Sequence, residues 1–126
     1  MKFPKFSLDS TLNELKRFES LPQEERKIIF YSENKNSMFI FESLINELVT
    51  VHDETICYVT SSKDEPLFEI LNKKIKTFYI GEGIARTKFF LNLQADILIM
   101  TMPDLETFHI KRSKVYPVHY VYLFHA

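Results

Sequence analysis

Residues 75–101, IKTFYIGEGIARTKFFLNLQADILIMT, decide the fold. An apolar, aromatic-rich run (75–80) passes through Gly81-Glu82-Gly83 into a helical stretch (82–93), and a second apolar run (96–101) follows. Strand, helix and strand in close succession make a βαβ unit, whose two strands must be parallel. Short, nearly continuous apolar runs read as strands covered on both faces.

The same rhythm extends outward. Upstream, KIIFYS (27–32) and TICYVT (55–60) read as the first two strands. Between them, residues 36–49 place Met38, Phe41, Leu44, Ile45 and Leu48 on one helical face; residues 65–74 form a short helix carrying Leu67, Phe68, Ile70 and Leu71. Downstream, past Pro103 and Pro117, HYVYLF (119–124) reads as a fifth strand. Ahead of everything, residues 7–21 space Leu8, Leu12, Leu15 and Phe18 as an amphipathic helix, with Thr11 and Glu14 at capping-box separation. Right-handed crossovers distribute the helices over both faces of the sheet. The expected fold is therefore α/β: a Rossmann-like three-layer sandwich with a mainly parallel five-stranded sheet and an extra N-terminal helix. It forms a single domain over 1–126, with residues 1–25 as a helical extension and 26–126 as the Rossmann-like unit.

Composition narrows the function classes. The chain has 126 residues, 45% hydrophobic and 26% charged, which is globular usage. Sixteen basic against 17 acidic residues give a net charge of −1, which argues against a nucleic-acid binder held by bulk charge. No apolar run approaches the ~20 residues of a membrane span, and residues 1–10 show no signal-peptide pattern. One cysteine, Cys57, fits a reducing cytosol. Two glycines in the whole chain exclude both the G-x-G-x-x-G fingerprint and a Walker A loop. No Cys/His or Asp/His cluster has metal-ligand spacing, so no cofactor is expected. A receiver domain is excluded as well, because Ser32-Glu33-Asn34 and Gly81-Glu82 stand where its acidic residues belong.

Open parallel sheets bind ligands beyond the carboxyl ends of their strands. Those positions are Ser32 to Lys35, Ser61 to Asp64, Gly81-Glu82-Gly83 with Arg86 one turn on, Thr101 to Asp104, and His125. Gly81 and Gly83 would let backbone approach an anion at a helix start, and Arg86 could pair with a phosphate. The competing reading is a tight turn in which Glu82 favours the helix N-terminus. Asp104 could orient such a site. His125, ending a buried strand on that edge, could act as general base; the competing reading is an incidental terminal histidine. His52 reads as a loop residue, His119 as the opening of the last strand, and the KRSK cluster at 111–114, preceded by His109, as a solvated face. Cys57 reads as core. Lys2, Lys5, Lys16 and Arg17 beside Phe3, Phe6 and Leu8 allow peripheral membrane contact, secondary to packing of the helix across the sheet.

KIIFYSENKNSMFIFESLINEL, FYIGEGIARTKFFLNLQADILIMTMPDLETFHIKRS and VHYVYLFHA together resemble the N-terminal domain of the CDP-glycerol glycerophosphotransferase family, the enzymes that build teichoic-acid-type polymers. The resemblance covers residues 26–126, and its most specific parts are 95–113 and the terminal YLFHA. It implies the acceptor-side half of a two-domain GT-B transferase, with CDP-glycerol and a polyol-phosphate acceptor as the partners of a full-length enzyme. It also implies that His125, in its YLFH context, is the general base on the acceptor hydroxyl. The matching donor domain is missing, so this chain alone is expected to be inactive, either truncated or excised, and cytoplasmic at the inner face of the membrane. The alternative is a stand-alone non-catalytic α/β module that forms homo-oligomers through an exposed last strand.

Overall fold

The computed structural model describes residues 8–33, 37–64, 72–101 and 113–123. Five strands form one sheet: β1 (Ile28–Ser32), β2 (Ile56–Thr60), β3 (Ile75–Tyr79), β4 (Ile97–Met100) and β5 (His119–Tyr122). Their order is β3-β2-β1-β4-β5, and every pairing is parallel. The expected Rossmann-like architecture is what the chain forms. The order reverses at β1: the chain steps outward through β2 to β3, then crosses back to lay β4 on the other side. In open α/β sheets such a reversal marks the place, at the carboxyl ends of the strands, where ligands bind.

Side-chain alternation divides the core into two layers. Ile29, Tyr31, Cys57, Val59, Phe78, Leu98 and Met100 face a layer built from α1 (Leu8–Glu19) and α3 (Ile84–Leu91). Phe30, Ile56, Tyr58 and Ile99 face Phe41 and Ile45 of α2 (Ser37–Asn46). The β1 residues Ile29, Phe30, Tyr31 and Ser32 are all buried, so this strand is covered on both sides.

The helices depart from the sequence reading in two places. The expected single helix over 36–49 ends at Asn46 and widens into a π turn over Glu47–Val51, where the Thr50 hydroxyl donates to the Asn46 carbonyl. The capping-box reading of Thr11 and Glu14 does not hold. The helix has already begun at Leu8, so Thr11 lies inside it, buried. Glu14 instead pairs with Arg17 at 2.8 Å and accepts from the Tyr79 backbone N–H at 3.4 Å. Arg17 in turn donates to the Thr77 carbonyl at 2.6 Å and lies 4.1 Å over the Phe78 ring. This ion pair thereby occupies backbone groups on the outer edge of β3, an edge that would otherwise attract another strand. Leu15 and Phe18 complete the attachment of α1. The Phe18 ring meets Phe78 and Phe89 edge-on at 5.5 and 5.4 Å.

Most of the expected short helix at 65–74 lies outside the described residues; Asn72 to Lys74 turn into β3, with the Lys74 N–H donating to the Asn72 side chain. No helix among the described residues is long and apolar enough to cross a membrane.

Candidate functional site

The carboxyl rim is built where β1, β2 and β3 end. Ser32, Thr60 and Tyr79 lie in register across the three strands. Pairing continues one step further, with the Ser61 N–H donating to Ser32 O and the Ile80 N–H to Thr60 O. The first residues past the strands are therefore held as firmly as the strands themselves.

Gly81 follows with φ +67°, a left-handed conformation that an L side chain rarely adopts. A Cβ there would also lie 3.3 Å from the Thr11 methyl on α1. This glycine is required by the turn. Its carbonyl accepts a 2.6 Å hydrogen bond from the buried Ser61 hydroxyl. Gly83 differs: a Cβ would meet nothing within 4 Å. It is the N-cap of α3, with no side-chain capping bond, and its carbonyl accepts from the Thr87 N–H.

Arg86, in the first turn of α3, is buried with only 6% of its surface exposed. Its Nη2 donates to the Glu82 carbonyl at 3.0 Å, and its Nη1 lies 3.5 Å from Glu33 Oε1. Among the described residues its Nε has no hydrogen-bond partner. A buried guanidinium with one long carboxylate contact and an idle donor is incompletely satisfied.

Glu33, immediately after β1, binds this cation to a chain of hydroxyls. Tyr31 donates to Glu33 Oε2 at 3.0 Å, and the Tyr31 oxygen lies 2.6 Å from Ser61 Oγ. Burial, then the neighbouring Glu33 charge, pushes the Tyr31 phenol far above its ordinary range, against the opposing pull of Ser61 and Arg86. Tyr31 is therefore a neutral hydrogen-bonding group. Burial raises the Tyr79 phenol too, with Glu82 adding to it.

The residues singled out in the sequence thus separate. Gly81, Gly83 and Arg86 all lie at the junction of β3 and α3. His125, Asp104 and His109 lie outside the described residues, as do Lys111 and Arg112. His52 and His119 are exposed. Cys57 is fully buried in β2 and its Sγ donates to the Glu25 carbonyl; burial pushes its thiol up to about 12. No group of three or more His, Cys, Asp or Glu among the described residues could hold a metal.

In the sequence, Glu33 and Ser61 stand at strand ends with no role attached, and Tyr31 is one residue of a strand covered on both faces. The available signal was a tyrosine one residue before the end of an aliphatic strand, with an acidic residue two positions on. No family model, no curated protein and no solved structure matches the chain.

Proposed function

We propose that this chain is the acceptor-side domain of a CDP-glycerol glycerophosphotransferase-like enzyme, which receives a polyol-phosphate acceptor at the carboxyl rim. The observation that carries this reading is Arg86: a buried, incompletely satisfied cation at the rim where a Rossmann-like sheet binds ligands. Beside it, the uncapped N-terminus of α3 at Gly83 presents first-turn N–H groups suited to a phosphate oxygen, and the Gly81 turn brings backbone to the rim.

In the full reaction, His125 takes the proton from an acceptor hydroxyl. The oxygen attacks the β-phosphorus of CDP-glycerol, the bond to the bridging oxygen breaks, and CMP leaves. The role of His125 comes from the resemblance of its YLFH context. The reading places the enzyme in the cytoplasm at the inner face of the membrane and assigns acceptor binding alone to this domain.

Two assays on the purified chain test it. Polyol phosphate should bind by calorimetry, and CDP-glycerol should release no CMP. Failure to bind polyol phosphate at millimolar concentration rejects the acceptor role. CMP release that disappears in His125→Ala would overturn the assignment of acceptor binding alone.

A further inference from the structure

Four polar side chains meet at the rim, and Glu33 keeps the most exposure among them. Tyr31 is 1% exposed, Ser61 6% and Arg86 6%, whereas the Glu33 side chain retains 29% of its surface. We propose that Glu33 is the hydroxyl-binding group of the rim, selecting a ligand with vicinal hydroxyls such as the terminal glycerol unit of a polyol chain. The proposal rests on the reading of this rim as the acceptor site and specifies which end of the acceptor sits here.

The chemistry follows from acceptor capacity. An ionised carboxylate accepts and never donates, and each oxygen can take two hydrogen bonds. Among the described residues, Oε2 uses one on Tyr31, and Oε1 has only the 3.5 Å contact with Arg86. Each oxygen therefore has room for a further donor, which matches a pair of adjacent hydroxyls. A phosphate offers no donor when fully ionised and is repelled by the same charge. Arg86 serves both groups: its Nη1, 3.5 Å from Oε1, holds the carboxylate in place, and its charge offsets that repulsion for a phosphate at the first turn of α3. Ser61, which donates to the Gly81 carbonyl, lies 2.6 Å from the Tyr31 oxygen and shares the phenol proton with Glu33, fixing Tyr31 from the β2 side.

The test compares three probes on the full chain by NMR titration: inorganic phosphate, glycerol and sn-glycerol 3-phosphate. Wild type should bind glycerol 3-phosphate at least about tenfold more tightly than phosphate, the margin that one of the two charge-assisted hydroxyl contacts supplies by itself. In Glu33→Gln that margin should vanish while phosphate binding is unchanged or stronger. Tyr31→Phe, which keeps the ring packing and the carboxylate but removes its donor, should narrow the margin; the amide spectrum verifies that each variant is folded. A margin that survives in Glu33→Gln overturns the hydroxyl assignment and leaves the polyol-phosphate reading standing. Glycerol binding as tightly as glycerol 3-phosphate, and depending on Glu33, supports the hydroxyl site and overturns the phosphate reading. Absence of binding by all three probes rejects both.

Discussion

Replacing Glu33 with Gln removes the only carboxylate facing a buried guanidinium among the described residues, with little change in shape. At the observed 3.5 Å and an effective dielectric constant near 20, the gross attraction between the two charges is about 5 kcal/mol. Two features reduce what is measured: Glu33 is partly exposed, so water screens the pair, and burying Arg86 has already cost desolvation energy. The expected net loss for Glu33→Gln is about 1–2 kcal/mol, read as a fall of about 1 M in the urea midpoint. Arg86→Met fills the same volume with an apolar stem and should cost about 1 kcal/mol alone. The double variant should be more stable than the sum of the two losses requires, because neither charge is then left without a partner. The cycle should give a coupling of about 1 kcal/mol or more. Strictly additive losses, or a Glu33→Gln variant as stable as wild type, would refute the claim that these groups form an energetic unit.

Three further perturbations separate parts of the account. Phe18→Ala should cost about 3–5 kcal/mol by denaturant unfolding, because Phe18 is buried between Phe78 and Phe89; a loss below about 1 kcal/mol would mean that α1 is not part of the core. Gly81→Ala should cost about 1–2 kcal/mol through its positive φ and the Thr11 contact, with Gly83→Ala costing clearly less; equal costs would contradict the observed turn. Cys57 sets a pH dependence. The unfolded thiol ionises near its ordinary 9.0, whereas the folded one holds its proton to about 12. The folded state therefore binds more protons between those values, so stability falls as pH rises through that window. The slope from this residue approaches about 1.4 kcal/mol per pH unit. Urea titrations from pH 8 to pH 11 should show the fall, and Cys57→Ala should flatten it between pH 9 and pH 10, below the range where the buried Tyr31 and Tyr79 phenols add their own fall; an unchanged slope there in the variant would refute the burial argument.

The sheet was legible in the sequence because every strand is a short apolar run bounded by polar turns, and each boundary lies within two residues of its expected place. The parallel arrangement followed from strands alternating with helices along the chain. Thr11 and Glu14 misled because a capping-box spacing also occurs inside a helix, and only the β3 edge, distant in sequence, reveals what Glu14 does. The π turn after Asn46 has no marker in the apolar periodicity. At the site, Gly81 and Arg86 were legible from strand-end position. The link from Glu33 through Tyr31 to Ser61 was not, since it joins the ends of two strands thirty positions apart in the chain. Tyr31 carries a second difficulty. Its ring packs as core against Phe90 at 4.9 Å while its hydroxyl belongs to the rim, and residue type alone gives only the first role.

The most direct measurement is the map of amide shifts on titrating the chain with sn-glycerol 3-phosphate. A carboxyl-rim site predicts that the perturbed residues are Ser32, Glu33, Ser61 and the segment from Gly81 to Arg86. Shifts confined to the opposite rim, around Lys27, Glu54 and Asn72, would contradict it.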